Sequence, residues 1–136
     1  MTGTDEKKAF LDSNVALYLL SANATKADRV ERLLKRRPTI SVQVLNEVTN
    51  VCIRKLRMSW SEADQFVDLL FRFCRVVPLT VELHQLARRI ANRHELAFYD
   101  ACIVAAASAE SCDTLYTEDM HNGLIVGERL TLLNPF

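Results

Sequence analysis

Four acidic side chains stand at the edges of apolar runs in this sequence, where they are well placed for chemistry: Asp12, Glu47, Asp100 and Asp119. Asp12 ends one short apolar run, Asp100 opens a longer one, and Asp119 closely follows a third. Like charges at one edge of a fold repel each other, so such a set requires a cation. Because carboxylate oxygens are hard ligands that favour Mg²⁺ or Mn²⁺, the set indicates metal-assisted phosphodiester chemistry.

Five short apolar runs, separated by helical patterns, are predicted to be strands: residues 9–11, 39–42, 75–77, 114–117 and 130–133. They are rich in apolar and β-branched residues and do not alternate with polar ones, which is typical of parallel strands covered on both faces. Strands that alternate with helices predict an α/β sandwich with right-handed crossovers. Because no linker or repeat divides the chain, residues 1–136 are expected to form a single domain.

The helices between these strands carry recognisable start signals. Ser59 followed by Glu62 predicts a capping box, Thr80 is a predicted N-cap, and Thr25 is predicted to cap an earlier helix. Residues 98–110 are apolar on nearly every side, so the helix they form is expected to be central and buried.

The predicted topology offers a way for the four acids to meet. Sites in open parallel sheets form beyond the carboxyl ends of the strands. Asp12 directly follows the first strand, Asp119 lies two residues after the fourth, and Glu47 lies early in the helix after the second strand. The helix that begins near Asp100 runs back toward the fourth strand, so its start returns to the same edge. We therefore expect all four acids at one edge, if the strand order brings them together.

Each acid also has a purely structural interpretation: two of them could cap helices, one could belong to a turn, and Glu47 could belong to a solvated polar stripe. The convergence of the set favours the functional interpretation. Asn14 and Thr117 are predicted to support the site by orienting carboxylates or a water molecule. Glu118 ranks below Asp119 as a candidate because adjacent side chains usually point apart.

Composition and charge set broad limits on the protein class. The chain has 136 residues, a formal net charge of zero and 49% hydrophobic residues, as in ordinary globular proteins. Residues 1–57 hold 11 Lys and Arg against 6 Asp and Glu, whereas residues 58–136 hold 6 against 11. This asymmetry is a weak indication of a polyanionic partner or of an acidic pocket with a basic rim.

The sequence contains no apolar run near the ~20 residues that a membrane span needs. The first eight residues lack the apolar core of a signal peptide, so a cytoplasmic protein is expected. The four cysteines are widely spaced and form no C-x-x-C pair, which predicts reduced thiols in the core.

Two further groups of residues have open interpretations. The basic segments 35–37 and 54–57 either complement helix dipoles or form a phosphate-contacting rim. The aromatic residues of the segment 60–73 fit a helix core or a dimer surface better than a platform for stacked bases: Trp60, Phe66, Phe71 and Phe73.

Four segments, in their order and spacing, resemble the PIN-domain family: 10–14 (FLDSN), 46–48 (NEV), 98–101 (FYDA) and 116–120 (YTEDM). Within that family the chain looks like the VapC-type toxin ribonucleases of toxin–antitoxin pairs, and the resemblance covers nearly the whole sequence. It implies a three-layer α/β/α sandwich with a central parallel sheet of five strands.

The resemblance also implies the roles of particular residues. Asp12, Glu47, Asp100 and Asp119 match the acidic quartet of the family, with Asp12, Asp100 and Asp119 as the expected ligands of Mg²⁺ or Mn²⁺. Ser13 stands where the family often has Thr. The implied partners are an RNA substrate, a second copy of the chain in a homodimer, and a small VapB-like antitoxin whose C-terminal segment occupies the active-site groove.

The predicted function is therefore that of a metal-dependent endoribonuclease, the toxin of a toxin–antitoxin pair. One alternative is a PIN-like scaffold that binds RNA or a protein without cutting it. Another is a small phosphatase with Asp12 as its nucleophile, although Asn14 breaks the D-x-D pattern common in such enzymes.

Overall fold

Six short strands form one mixed sheet in the computed structural model, which describes residues 7–136. The strands are β1 (Ala9–Leu11), β2 (Thr39–Ser41), β3 (Arg75–Val77), β4 (Thr114–Tyr116), β5 (Ile125–Val126) and β6 (Leu130–Leu133). Their order across the sheet is β3-β2-β1-β4-β6-β5. All neighbours are parallel except β5 and β6. Residues 1–6 lie outside the described residues. The prediction that the first eight residues form no signal peptide therefore falls mostly outside them as well.

The expectation of five strands is corrected to six. The additional strand, β5, has only two residues and pairs in antiparallel fashion with β6 at the edge of the sheet. It lies between Gly123 and Gly127, whose φ values of 92° and 66° belong to turns that favour glycine. So short a segment between two turns shows no strand periodicity in the sequence, and only its pairing with β6 defines it.

Six α-helices connect the strands within residues 7–136: α1 (Ser13–Ala16), α2 (Ala24–Leu34), α3 (Val42–Arg54), α4 (Trp60–Phe73), α5 (Val81–His94) and α6 (Phe98–Ala109). A 3₁₀ turn, Leu17–Leu20, follows α1. The connections from β1 to β2 and from β2 to β3 run one way along the sheet, and the connection from β3 to β4 runs back. Right-handed crossovers then place helices on both faces, which confirms the α/β/α sandwich.

Two of the three predicted helix starts are confirmed. Ser59 and Glu62 form both hydrogen bonds of a capping box, and the Thr80 hydroxyl accepts from the backbone amide of Leu83 at 3.1 Å. The prediction for Thr25 is wrong, because α2 begins two residues earlier. There the side chain of Asn23 accepts from the amide of Lys26 at 3.2 Å.

Helix α6 forms the centre of the core, as its composition predicts. Residues 101–107 are all buried, so this helix meets apolar neighbours on every side. The four cysteines are free and buried, which confirms their interpretation as core thiols: Cys52, Cys74, Cys102 and Cys112. In residues 7–136 no helix is long and apolar enough to cross a membrane.

The aromatic residues of the segment 60–73 divide between the two predicted settings, a helix core and an exposed surface. Phe66 is buried, together with Ala63 and Leu70 on the inward stripe of the helix. The other aromatic side chains are largely solvent-exposed, with exposed fractions of 65% for Trp60, 52% for Phe71 and 43% for Phe73. Because one helix face covers the sheet, residues off the inward stripe must point outward, and these three do not belong to the core.

Candidate functional site

Asp12 lies at the junction of β1 and α1, where its side chain is 3% exposed. It caps α1, since Oδ1 accepts a hydrogen bond from the backbone amide of Ser13 at 2.7 Å. Oδ2 accepts from the Thr117 hydroxyl at 2.8 Å and from Nδ2 of Asn14 at 3.4 Å. Both oxygens of this carboxylate are therefore held by donors from α1 and from the segment after β4.

Glu47 lies in the second turn of α3 and is oriented by two polar side chains. Oε1 of Glu47 accepts from the Ser13 hydroxyl at 2.6 Å, and Oε2 accepts from Nε2 of Gln43 at 3.2 Å. The Ser13 oxygen also lies 3.3 Å from Oδ1 of Asp12. Because a hydroxyl donates only one hydrogen, the shorter contact to Glu47 is the stronger bond, and Ser13 links the two acids.

Asp100 and Asp119 complete the set at the same edge of the sheet. Asp100 lies in the first turn of α6, the helix that leads back to β4. Asp119 follows β4 and is exposed, whereas Asp100 is half-buried. Since β4 pairs in parallel with β1, the chain leaves both strands at one edge, and the observed strand order, with β1 between β2 and β4, brings the acids together.

The pKa values show how closely the carboxylates interact. Burial raises the pKa of Asp12 to about 6; hydrogen bonds from Thr117 and Ser13 oppose this rise, and the charges of Glu47 and Asp100 add to it. Burial also raises the pKa of Asp100, with added repulsion from Glu47 and Asp119. Each acid thus interacts with at least one other member of the set, which forms a connected cluster of negative charge.

No basic side chain of residues 7–136 lies within ion-pair distance of the four acids. The three ion pairs of this part of the chain involve other carboxylates: Lys26–Glu118, Arg75–Glu110 and Arg129–Asp113. The cluster is therefore uncompensated by the protein itself, although burial of Asp12 makes its charged form costly.

The donor set suits a hard divalent cation. Carboxylate oxygens supply the ligand type that Mg²⁺ and Mn²⁺ favour. Burial is the main cause of the raised pKa of Asp12 and of Asp100, and a cation would offset the repulsion that adds to it. Within residues 7–136, no three His, Cys, Asp or Glu side chains, as they now lie, form a closed metal site. The chemistry and the electrostatics fit a cation, and binding requires the side chains to draw together.

The two predicted supporting residues lie where the sequence placed them. Thr117 is fully buried and donates to Asp12, and Asn14 contacts both Asp12 and the backbone amide of Glu118, the latter at 3.2 Å. The sequence interpretation missed the orienting role of Gln43. Its position four residues before Glu47, on the same helix face, is the signal that could have identified it.

Glu118, the lower-ranked candidate acid, is bound elsewhere. Its carboxylate accepts from Tyr18 and pairs with Lys26, and these hydrogen bonds lower its pKa. The side chain is therefore committed to α2 and to the 3₁₀ turn, away from the four acids.

A separate apolar groove of about 650 Å³ lies between the 3₁₀ turn, α2 and α4. None of the four acids lines this groove. Its walls combine apolar side chains with a mainly basic rim: Leu19, Leu20, Leu34, Phe66, Leu69 and Phe73, with Glu31, Lys35, Arg37 and Arg72. An amphipathic segment with acidic side chains would complement this surface.

Comparison with protein families gives one match, to the model described as the PIN domain, over residues 9–121. The match includes all four acids. A comparison with curated protein sequences gave no match.

Several solved structures share the fold. VapC20 from Mycobacterium tuberculosis, described as a toxin that cleaves the sarcin–ricin loop, is 23% identical with a TM-score of 0.66, over 82% of this chain and 90% of that one. A toxin–antitoxin complex from Klebsiella pneumoniae is 16% identical with a TM-score of 0.71, over 95% of this chain and 98% of that one. DNA-bound VapBC from Salmonella typhimurium is 18% identical with a TM-score of 0.66, over 93% of this chain and 98% of that one. At these identities the likeness is one of fold.

Proposed function

The chain belongs to the PIN-domain family, and from this premise we propose that it is a metal-dependent endoribonuclease, the toxin of a VapC-type toxin–antitoxin pair. The observation that carries the proposal is the uncompensated cluster of four carboxylates, in which Asp12 is buried and has a pKa of about 6. A purely structural surface would not bury a carboxylate beside others of the same charge. The toxin–antitoxin context of the structures that share the fold supports the same proposal.

Asp12, Asp100 and Asp119 would hold one or two divalent cations, and Glu47 would complete the site directly or through water. When bound, Mg²⁺ or Mn²⁺ would activate a water molecule as the nucleophile and offset the charge that develops on the phosphate. The products then carry 5′-phosphate and 3′-hydroxyl ends.

The other residues of the site serve to hold these acids in place. Thr117 and Asn14 fix one oxygen of Asp12, and the amide of Ser13 fixes the other. The Ser13 hydroxyl and Gln43 fix the two oxygens of Glu47. Such hydrogen bonds limit the rotation of each carboxylate before substrate arrives, which is the preorganisation that phosphoryl chemistry requires.

The site argues against Asp12 as the nucleophile of a phosphatase. Both of its oxygens accept hydrogen bonds from protein donors, and the side chain is only 3% exposed. In addition, Asn14 stands where such phosphatases commonly carry a second acid, and its side chain contacts Asp12 and the backbone amide of Glu118.

Incubation of purified protein with total cellular RNA tests the proposal. With Mg²⁺ or Mn²⁺ we expect discrete fragments with 5′-phosphate ends, and we expect none with EDTA. Asp100→Asn should lower the cleavage rate at least about a hundredfold, since the cation contributes several kcal/mol to the transition state. Fragments with 2′,3′-cyclic phosphate ends would contradict the mechanism. Metal-independent RNA binding without cleavage, in a sample free of antitoxin, would favour the scaffold alternative.

We propose that the partner is a small VapB-like antitoxin whose apolar segment binds the groove between α2 and α4. The groove is apolar at its base and carries Lys35, Arg37 and Arg72 at its rim, which suits a helix with acidic side chains. A basic side chain of the same partner would reach the four acids and neutralise them. The exposed side chains of Trp60 and Phe71 supply apolar surface for the expected homodimer. The site of action is expected to be the cytoplasm.

Leu69→Arg is expected to weaken the antitoxin complex at least about tenfold, because a charge would replace an apolar contact at the groove. Leu69 is 38% exposed, so the variant should fold. Titration with candidate antitoxins of the source genome measures the effect. Leu79→Arg, at a residue that is 39% exposed but does not line the groove, is the matched control. An equal loss of antitoxin affinity in both variants would contradict the proposal that the antitoxin binds this groove.

A further inference from the structure

Glu118 is the centre of a polar and aromatic cluster beside the four acids. Its Oε2 lies 2.5 Å from Nζ of Lys26, and its Oε1 accepts from the Tyr18 hydroxyl at 2.5 Å. Nζ of Lys26 also lies 3.3 Å from that hydroxyl. The three side chains thus form a closed triangle, in which each group contacts the other two.

Aromatic rings enclose the cation of this triangle. Nζ of Lys26 lies 4.7 Å from the ring centroid of Tyr18 and 4.9 Å from that of Phe136. The two rings meet edge to face, with their centroids 4.9 Å apart. An ammonium group between two rings and a carboxylate loses much of its freedom to rotate, so the Lys26–Glu118 pair is better fixed than an ordinary surface ion pair.

The backbone around Glu118 leads directly to the acids. The amide of Glu118 donates to Oδ1 of Asn14 at 3.2 Å, and the same Asn14 donates to Asp12. The preceding residue, Thr117, donates its hydroxyl to Asp12, and the following residue is Asp119. Three consecutive residues therefore have different partners: Thr117 donates to Asp12, Glu118 pairs with Lys26, and the charge of Asp119 acts on Asp100.

We propose that Glu118, held by Lys26 and Tyr18, is a positioning residue that sets the orientation of Asp119 and Thr117 in the candidate site. The inference rests on the proposed function. A side chain fixed at its far end defines the backbone angles of its own residue and restricts those on either side. Asp119 is exposed, and within residues 7–136 no donor holds its side chain, so its direction depends on the backbone of this segment.

Other hydrogen bonds of residues 117–120 hold the segment at different points. The amide of Thr117 donates to the carbonyl of Leu133, and the amide of Met120 donates to the Thr117 hydroxyl at 3.4 Å. The first bond fixes the segment before Glu118, and the second is long. Bonds to Asp12 and Asn14 tie the segment to the start of α1, and the Glu118 side chain adds the link to Lys26 of α2.

The test uses two variants and a matched control. Glu118→Gln removes the charge of the pair, and Lys26→Met removes its partner. Glu110→Gln removes the charge from a different ion pair, with Arg75 at 3.0 Å, away from the four acids. We expect about a tenfold loss of Mn²⁺ affinity, measured by electron paramagnetic resonance, in the first two variants and none in the control. In cleavage assays kcat should fall by a similar factor with little change in KM for RNA.

Lys26→Arg keeps the charge and the contact with the rings, so it should restore most of the Mn²⁺ affinity that Lys26→Met loses. If the role of Lys26 were merely structural, Lys26→Arg and Lys26→Met would not differ in Mn²⁺ affinity. Equal Mn²⁺ affinity in the parent, Glu118→Gln and Lys26→Met would overturn the proposal.

Amide hydrogen exchange separates this inference from the proposed function. In the metal-free protein, Glu118→Gln should speed exchange at the amides of residues 118 and 120, which donate to Asn14 and Thr117. Faster exchange in a protein that cleaves no RNA would leave the positioning role intact and reject the nuclease. Unchanged exchange in an active nuclease would reject the positioning role alone.

Discussion

Asp12→Asn is expected to abolish metal-dependent RNA cleavage while leaving the metal-free protein at least as stable as the parent at neutral pH. The carboxylate is a proposed metal ligand, and its loss should lower the cleavage rate at least about a hundredfold. Asn can still accept the hydrogen bond from the Ser13 amide and cap α1. Its amide group can donate to the Thr117 oxygen, since a hydroxyl accepts as well as donates.

The stability of the variant depends on pH in a defined direction. The folded-state pKa of Asp12, about 6, lies above its ordinary value of 3.8. In the parent, Asp12 makes its full contribution to the free energy of unfolding below about pH 4. This contribution is lost as the pH rises through about 6. A rise of this size corresponds to about 3 kcal/mol. Asn does not ionise, so the stability of the variant relative to the parent should increase by up to that amount between pH 4 and 7.5.

Urea unfolding of the metal-free proteins at both pH values measures this difference. Asp64→Asn is the matched control, because Asp64 is an exposed residue of α4. Its stability relative to the parent should stay nearly constant between the two pH values. If Asp12→Asn were strongly destabilised at pH 7.5, Asp12 would be a structural residue whose charge the fold requires.

The second large effect is expected from divalent cations. Mn²⁺ at about 100 times its dissociation constant should stabilise the folded protein by about 2.7 kcal/mol, which raises Tm by roughly 10 °C for a chain of this size. The cation competes with protons for Asp12 and Asp100, both of which have raised pKa values. Below about pH 6 the affinity for Mn²⁺ should fall at least about tenfold per pH unit. At a fixed Mn²⁺ concentration, about half or more of the rise in Tm should therefore disappear at pH 5.

Thermal unfolding at pH 7.5 and pH 5, with and without Mn²⁺, measures this effect. Asp100→Asn should lose most of the rise in Tm at pH 7.5, whereas Asp64→Asn should retain it. A rise that is independent of pH and persists in Asp100→Asn would place the cation outside the four acids.

The sequence by itself determined the features that depend on neighbouring residues. Caps such as Ser59 and Thr80, the apolar composition of α6 and the position of each acid at the end of an element are local properties. Because the carboxyl ends of parallel strands meet at one edge, this local information predicted the edge at which the acids lie, although not the strand order that brings them together. The order and spacing of the four segments then indicated the family.

Only the tertiary structure decided how the elements meet. The strand order that sets β1 between β2 and β4 depends on pairings between distant segments, as does the two-residue strand β5. The bond from Ser13 to Glu47 and the cluster of Lys26 with Glu118 join residues that are far apart in the sequence. Local propensity gives no information on such contacts, because the direction of a side chain is set by whatever packs against it. For that reason the acids could be predicted from the sequence, whereas the side chains that hold them could be predicted only in part.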